Sequence, residues 1–238
     1  MIERLFFKIE KIPFLWQALS WSFLKYMDEK NEVIIGKDNL SWLVKQVTGL
    51  KLDIGLDKYD YLEELMDYDL THYKSNDIVL IIGAGAGLGA ILAATTCMKV
   101  YAVEPLLYDI LKKNVRQSTV KDKIMVFTHA FGKNGEITCE YWGKKKSVES
   151  KDLSTLLNEL NPSPTIIKCD CEGCEFGGFS GCEDYKNVRL IELEYHTNSE
   201  QELKKLIDHF RDHGFSVNLR KKVPVPEYKH IGVLYARR

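Results

Sequence analysis

The chain has 238 residues, of which 45% are hydrophobic, so it is long enough to bury a sizeable core. Its formal net charge is −1 and 28% of its residues are charged, a balance that favours neither nucleic acid nor an acidic surface as partner. The uncharged stretch Ile12–Leu24 is shorter than the ~20 residues of a membrane-spanning helix, and the segment lacks a small-residue cleavage site. We therefore expect a cytoplasmic protein without a membrane span.

Residues 1–76 differ from the rest of the chain because they combine many aromatic residues with helix-like spacing and scattered charges. Breaks at Gly36, Gly49 and Gly55 predict several short helices, whose apolar faces must be buried. We predict a helical N-terminal extension at 1–76, followed by one catalytic domain at 77–238. The extension either caps the substrate cleft, forms a homodimer contact or rests on a membrane surface.

From Asp77 onward, strand and helix patterns alternate, which predicts an α/β fold with a mostly parallel sheet. The last two strands are joined only by the short segment Arg220–His230, so the final strand is expected to be antiparallel. Asn134-Gly135 predicts a hairpin insertion over Gly135–Trp142. The seven predicted strands are Ile78–Ile82, Val100–Val103, Lys123–Thr128, Thr165–Cys169, Val188–Glu194, Phe215–Leu219 and Ile231–Tyr235.

Four helices are predicted between these strands. The first two cover Leu88–Met98 and Leu106–Arg116. Asp152 is a typical N-cap for a third helix that runs to Leu160. Ser199, with Glu202 three residues later, predicts a capping box for a fourth helix ending at Asp212.

A glycine-rich loop follows the first strand, and an acidic residue ends the second. Glycines allow a sharp turn and a close approach to a ligand, which the next helix meets with free N–H groups. Glu104, before Pro105, can accept hydrogen bonds from both hydroxyls of an adenosine ribose. These features predict an adenosine-type cofactor, either a dinucleotide or S-adenosylmethionine, and the antiparallel last strand favours the second. The loop residues predicted to bind are Gly83, Ala84, Gly85 and Gly87.

The chain resembles the FkbM-type family of class I S-adenosylmethionine-dependent methyltransferases over roughly residues 77–196. The most specific block is Lys168-Cys169-Asp170-Cys171-Glu172-Gly173-Cys174-Glu175, which matches the family pattern lysine–x–Asp–x–Glu–Gly–x–Glu. The resemblance implies a Rossmann-like sheet, S-adenosylmethionine as cofactor and usually O-methylation. Class I enzymes commonly carry an acidic residue where this chain has Ile81. The other matching blocks are Val79–Gly85, Val103–Pro105 with Leu111–Val115, and Ile191–His196.

Residues near three further strand ends are also candidates for the site. Ala130 and Phe131 occupy the position where class I enzymes line the adenine. Asp170, Glu172 and His196 lie at the ends of the fourth and fifth strands. They form either a cluster that orients the acceptor, with His196 as general base, or an oxygen-rich divalent-metal site. We favour the first interpretation, without a metal.

Four cysteines lie close together at 169, 171, 174 and 182. Their spacing matches neither paired Cys-x-x-Cys zinc knuckles nor common iron–sulfur patterns. We interpret them as buried reduced thiols, although the sequence also permits a disulfide within the group.

The sequence therefore predicts an S-adenosylmethionine-dependent methyltransferase that acts on a hydroxyl of a small molecule or glycan. RNA or protein methylation and an NAD-type oxidoreductase remain enzymatic alternatives. Lys144–Lys146 beside Trp142 is a weak indication of nucleic-acid binding. The non-enzymatic alternative is a membrane-peripheral binding protein that uses the aromatic N-terminus.

Overall fold

The computed structural model describes residues 72–141, 144–197, 199–221 and 231–238. These residues form ten strands in two sheets and five α-helices. The helices are α1 (Leu88–Thr96), α2 (Tyr108–Gln117), α3 (Leu153–Glu159), α4 (Glu175–Gly178) and α5 (Glu200–Asp212). The strands are β1 (Ile78–Ile82), β2 (Lys99–Val103), β3 (Ile124–Phe127), β4 (Ala130–Phe131), β5 (Gly135–Tyr141), β6 (Lys144–Lys151), β7 (Ile166–Cys169), β8 (Leu190–His196), β9 (Ser216–Lys221) and β10 (Ile231–Arg237).

The larger sheet has seven strands in the order β3-β2-β1-β7-β8-β10-β9. Strands β1, β2, β3, β7 and β8 run parallel, whereas β10 pairs antiparallel with both β8 and β9. The predicted fold is therefore confirmed: a mostly parallel seven-stranded sheet whose last strand lies antiparallel beside the fifth. The order of strands reverses between β1 and β7, so the carboxyl ends of these two strands flank the crevice where ligands bind in such sheets.

The strands at the centre of the sheet are apolar because both of their faces are covered. All five residues of β1 are buried. On one face, Val79 and Ile81 pack with α1 and α2, and on the other, Leu80 and Ile82 belong to a core that includes α3 and α5. The chain is thus a three-layer structure whose sheet positions the site residues at its carboxyl edge.

Two helix starts confirm the predicted caps. The Asp152 carboxylate accepts from the Thr155 amide at 2.8 Å, and the Ser199 hydroxyl accepts from the Glu202 amide at 3.2 Å. The second half of the predicted capping box differs. The Glu202 carboxylate accepts from the Thr197 hydroxyl, and this hydroxyl accepts from the Ser199 amide.

The hairpin differs from its prediction in the position of its turn. Strand β5 begins at Gly135, as expected, but its antiparallel partner is β6, a lysine-rich strand that the sequence pattern does not reveal. Asn134 lies before the hairpin, where its side-chain oxygen accepts from the Asp152 amide at 2.9 Å. Asn134-Gly135 therefore joins β4 to β5 and ties the hairpin to the cap of α3. Because β4 pairs with β6, the hairpin is attached directly to the segment predicted to line the adenine.

The predicted N-terminal extension and its homodimer contact lie outside the described residues, apart from 72–76. Within the described part of the chain, no helix is long and apolar enough to cross a bilayer.

A buried ion pair anchors the start of the central strand. Asp77 accepts from Thr165 at 2.8 Å and from the Lys74 amide at 2.6 Å, and it forms an ion pair with Arg189. Burial alone would raise the pKa of Asp77, but these bonds outweigh it and lower the pKa below its ordinary value of 3.8. The network joins the starts of β1, β7 and β8.

We expect Asp77→Asn to lower the free energy of unfolding at pH 7 by ~3 kcal/mol, because it leaves Arg189 without its charged partner. The stabilisation by a carboxylate of lowered pKa is complete above the unfolded-state pKa and is lost as pH falls through the folded-state pKa. The difference between wild type and variant should therefore shrink below pH 3.8. Urea denaturation at several pH values measures it, with Asp208→Asn, in the exposed pair with Lys204, as control.

Candidate functional site

The glycine loop (Gly83–Gly87) is held against the end of β2 by backbone hydrogen bonds. The amides of Gly83 and Ala84 donate to the Val103 carbonyl at 3.0 and 3.1 Å. A Cβ atom on Gly83 would lie 1.6 Å from the Asp170 carbonyl oxygen, and the residue has a φ of +75°. Only glycine fits there, because both the backbone conformation and the contact exclude a side chain. The loop thus packs directly onto the end of β7.

The other two glycines shape the loop for different reasons. Gly87 precedes α1 with a φ of +97°, and a Cβ there would lie 2.5 Å from the Leu111 side chain. Gly85 has a φ of +52°, but a Cβ there would meet nothing within 4 Å. Gly85 therefore faces open space, whereas Gly87 allows α1 to pack against α2.

Glu104 lies immediately after β2, and the residue is 7% exposed. One oxygen, Oε2, accepts from the Gly85 amide at 3.0 Å, and Oε1 accepts from the amides of Leu106 and Leu107 at 2.8 and 2.9 Å. Burial raises the pKa of Glu104 above its ordinary value of 4.5, and the three amide bonds oppose this shift. Gly85 and Glu104, which were predicted separately from the sequence, are thus joined by a hydrogen bond. Because Oε2 accepts this one bond, it can still accept a second from a ligand hydroxyl.

Two supporting residues were missed by the sequence analysis. Asn114 is fully buried on α2, and its side-chain amide donates to the Ala86 carbonyl of the glycine loop at 2.8 Å. Lys146 on β6 donates to the Pro105 carbonyl at 3.3 Å, and its charge lowers the pKa of Glu104. A buried polar residue on an apolar helix face was a usable signal for Asn114, whereas Lys146 lies on the unpredicted strand.

Ala130 and Phe131 form β4, and both are buried. The Phe131 ring packs edge-to-face on Phe179 at a centroid distance of 5.3 Å, and a Cβ on Gly178 would lie 2.2 Å from that ring. The ring therefore belongs to the hydrophobic core. That Ala130 and Phe131 line the adenine stays a prediction, and with its ring in the core Phe131 would contribute its backbone.

The structure brings Asp170, Glu172 and His196 together, and we name these three residues the Asp170 cluster. Each offers one ligand atom, and these atoms all lie within 4.8 Å of one another. Asp170 follows β7, with its amide donating to the Ile82 carbonyl at 2.9 Å, and His196 ends β8. The cluster is next to the glycine loop because Gly83 packs on Asp170.

His196 is surrounded by carboxylates. Its Nδ1 lies 3.2 Å from Glu175 Oε1, and its Nε2 lies 3.4 Å from Glu172 Oε2 and 3.5 Å from Glu194 Oε1. Burial by itself would lower the pKa of His196, but Glu175, Glu194 and Glu172 together raise it to about 10. His196 is therefore an imidazolium at neutral pH. A protonated ring donates hydrogen bonds and does not take up a proton, so this charge speaks against the predicted role of His196 as general base, which stays a prediction.

Glu175 and Glu194 complete this environment, although neither was predicted as a site residue. Glu175 is fully buried, and its Oε1 also accepts from the Gly173 amide at 3.2 Å. Glu194 lies on the same face of β8 as His196, two residues earlier. The ligand atoms of the Asp170 cluster are close enough together to hold a divalent cation, and carboxylate oxygens and imidazole nitrogen are ordinary ligands of such ions.

The cysteines only partly follow their prediction. Cys169 and Cys182 are buried thiols, as expected. Cys171 and Cys174 are instead joined in a disulfide, with Cα atoms 5.5 Å apart. The interpretation as reduced thiols is therefore wrong for this pair. Spacing alone could not reveal the pairing, because the tight turn at Glu172 and Gly173 brings the two residues together.

Comparison with known proteins places these features in a family. Residues 90–217, more than half of the chain, match the family described as the methyltransferase FkbM domain. No curated protein matches the sequence.

Solved structures share the fold at low sequence identity. The O-methyltransferase from Bacillus cereus in complex with S-adenosylhomocysteine is 14% identical, with a TM-score of 0.52 over 95% of this chain and 100% of that one. The S-adenosylmethionine-dependent O-methyltransferase from Thermotoga maritima is 12% identical, with a TM-score of 0.50 over 82% and 71%. The delta-N METTL16 methyltransferase domain is 16% identical, with a TM-score of 0.52 over 85% and 96%.

We expect Gly83→Ala to lower the free energy of unfolding by more than ~4 kcal/mol or to prevent folding, because its Cβ would overlap the Asp170 carbonyl. Gly85→Ala is the matched control. It carries the same left-handed strain, ~1 kcal/mol, without a clash. Thermal unfolding of both variants separates the two effects, and equal stability would contradict the close contact between the loop and β7.

Proposed function

The chain belongs to the FkbM methyltransferase domain family and is an S-adenosylmethionine-dependent methyltransferase, and from this premise we propose that it methylates a hydroxyl group of a small molecule or glycan. The observation that carries the proposal is the concentration of carboxylates around His196 beside the glycine loop.

The cofactor residues in this proposal are those at the carboxyl ends of β1 and β2. The glycine loop receives the methionine part of the cofactor, and Glu104 Oε2 accepts from a ribose hydroxyl. Pro105, Ala130 and the Phe131 backbone border the adenine. The hydrogen bond from the Gly85 amide to Glu104 supports this arrangement, because it shows that the loop and the carboxylate are close enough to contact one ligand.

The acceptor chemistry follows from which atoms the Asp170 cluster presents. Carboxylate oxygens only accept hydrogen bonds when ionised, so a matching ligand must bring donors. The hydroxyls of a sugar or polyol satisfy this requirement. A nucleic-acid backbone does not, because its phosphates would approach Asp170, Glu172, Glu175 and Glu194, which together outnumber the one imidazolium.

Methyl transfer is a direct displacement in which the acceptor oxygen attacks the methyl carbon of the cofactor. The new O–C bond forms as the C–S bond breaks, and its electron pair remains on sulfur to give S-adenosylhomocysteine. The enzyme contributes mainly by aligning the two reactants. In our proposal the Asp170 carboxylate takes up the hydroxyl proton, which is supported by the contact of the Asp170 backbone with the glycine loop.

Glu172 and His196 act on the acceptor in different ways. Glu172 is 59% exposed at its side chain, so it can accept from a second hydroxyl at the mouth of the site. His196 is protonated and donates, so it contributes a positive charge near the oxygen that loses its proton. In this proposal Asp170, and not His196, is the general base.

The alternatives make different demands on the structure. RNA methylation requires a basic surface with aromatic residues, and Lys145 and Lys146 of the hairpin are instead engaged with Glu140 and the Pro105 carbonyl. Protein methylation stays an alternative. Attachment to a membrane surface would use the predicted N-terminal extension, residues 1–76, so liposome flotation with and without that segment tests it. A cytoplasmic location and a homodimer through the N-terminal helices also remain proposals.

We expect Glu104→Gln to weaken binding of S-adenosylhomocysteine by at least ~10-fold, because a hydrogen bond to a charged acceptor is replaced by one to a neutral amide. Wild-type affinity should fall as pH drops towards the raised pKa of Glu104, starting above pH 4.5, and the variant should lack this dependence. Calorimetry measures both, with Glu140→Gln on the hairpin as control. Binding of a nicotinamide dinucleotide in place of S-adenosylhomocysteine would contradict the cofactor site.

We expect Asp170→Asn to lower methyl transfer by at least ~100-fold, the range typical of a lost general base, while S-adenosylhomocysteine binding stays unchanged. The assay follows methyl-labelled cofactor into polyhydroxylated compounds and glycans from a cell extract. Chelation with EDTA should leave the wild-type rate unchanged. Loss of transfer on chelation, restored by Mg²⁺ or Mn²⁺, would instead assign Asp170, Glu172 and His196 to a metal.

A further inference from the structure

The family pattern around Asp170 contains three variable positions, and this chain has cysteine at all of them. Cys169, Cys171 and Cys174 alternate with the acidic residues of the motif. The disulfide between Cys171 and Cys174 closes a ring around Glu172 and Gly173. The proposed methyl-transfer reaction uses none of these sulfur atoms, so their position inside the motif calls for its own explanation.

The residues enclosed by the disulfide have an unusual backbone. Glu172 has a φ of +56° and Gly173 a φ of +102°. Glu172 is the only non-glycine residue with positive φ in the described part of the chain. Such a conformation is unfavourable for a residue with a side chain and persists only where the surroundings enforce it. The cross-link between the two flanking residues supplies such a constraint.

The same ring determines how the site is charged. Glu172, inside the ring, lies 3.4 Å from His196 Nε2, and Glu175, directly after it, lies 3.2 Å from His196 Nδ1. Glu175 is buried at the start of α4 and is further held by the Gly173 amide, whereas Glu172 is largely exposed. Glu172 therefore depends most on the ring for its position.

We propose that the Cys171–Cys174 disulfide is a reversible redox switch of the acceptor site, which holds Glu172 against His196 when oxidised and releases it when reduced. The effect on methyl transfer rests on the proposed function, whereas the effect on Glu172 and His196 does not. We expect the cofactor site to be unaffected, because the glycine loop contacts β2 and only the backbone of Asp170 and Cys171, and Glu104 is hydrogen-bonded to the amides of Gly85 and Leu107.

The switch runs by thiol–disulfide exchange with a dithiol reductant, either a small molecule or a protein Cys-x-x-Cys site. One thiolate of the reductant attacks a sulfur of the pair to form a mixed disulfide, and its second thiolate then displaces the protein sulfur. Two electrons and two protons pass to the protein, which gains two thiols, and the reductant leaves as a disulfide. Cys171 and Cys174 are both intermediate in exposure and pack against the edge of the core, next to the exposed residues Glu172 and Gly173, and the proposed exchange takes place from this exposed side.

Cys169 does not compete for the switch, although its Sγ lies 3.6 Å from Cys171 Sγ. It is completely buried, and burial raises the pKa of its thiol well above 9.0. Cys169 therefore remains a thiol at neutral pH. Because the thiolate is the nucleophile in disulfide exchange, Cys169 does not attack the neighbouring disulfide. In the proposed switch, Cys171 and Cys174 are therefore the redox pair, and Cys169 takes no part in the exchange.

The first test counts thiols in the intact protein. Denaturation in excess alkylating agent should label four of the six cysteines without reductant and all six after treatment with dithiothreitol. Peptide mapping should find the two protected sites at 171 and 174. Labelling of six cysteines after exposure to oxidised dithiothreitol or glutathione disulfide would overturn the proposal.

The second test reads the position of Glu172 through its neighbour. NMR titration of the His196 ring should give a lower pKa in the reduced protein, because one of the three facing carboxylates has moved away. Cys171→Ser with Cys174→Ser should reproduce the reduced value under all conditions, and Cys139→Ser, outside the motif, should still respond to dithiothreitol. Identical His196 titrations in both redox states would overturn the switch.

Methyl transfer supplies the functional readout. We expect the rate to fall at least ~10-fold on reduction, as for a misplaced orienting group, with calorimetric affinity for S-adenosylhomocysteine unchanged. A change in the His196 titration without transfer to any hydroxyl compound would leave the switch intact and refute the proposed acceptor. Transfer at equal rates in both redox states would refute the switch and leave the proposed acceptor intact.

Discussion

The contact between Gly83 and the Asp170 carbonyl is the constraint on which the rest of the site depends. It brings the carboxyl ends of β1 and β7 so close that a single methyl group on Gly83 would overlap the opposite backbone. Displacement of a methyl group requires donor and acceptor atoms at near van der Waals separation. A fold that packs the cofactor loop directly on the residue proposed to hold the acceptor meets this requirement through its backbone, before any side chain contributes.

Much of this arrangement could be predicted because it depends on local patterns. The apolar run Ile78–Ile82 predicts β1 with both of its end residues correct. The short connection before Ile231 predicts that β10 is antiparallel. Strand β6 escaped prediction because its lysines, serines and glutamate give no apolar alternation, and of its described side chains Val148 and Ser150 are the buried ones. The charge of His196 also escaped, because it depends on Glu175 and Glu194, whose approach only the folded chain reveals.

Ile81 shows how the fold accommodates a departure from the common class I pattern. The residue is buried on β1, in register with Ala102 and Lys168 on the neighbouring strands. A carboxylate at this position would have to share the apolar cluster of α1 and α2. The loop is ordered instead by the Val103 carbonyl and by Glu104, which binds the Gly85 amide. One carboxylate thus serves both the loop and the ribose in the proposed site.

For the proposed reaction, the direction in which the Asp170 carboxylate faces matters more than its electrostatic attraction for the positively charged cofactor. The sulfonium of S-adenosylmethionine loses its positive charge during transfer, so a carboxylate that contacts it stabilises the reactants more than the transition state. Asp170 promotes the proposed reaction only if it faces the acceptor hydroxyl. The imidazolium of His196 favours this outcome, because it compensates the negative charge of the surrounding carboxylates. When Glu172 lies beside His196, the imidazolium faces three carboxylates, and when Glu172 moves away it faces two. In our proposal the disulfide controls this difference in charge.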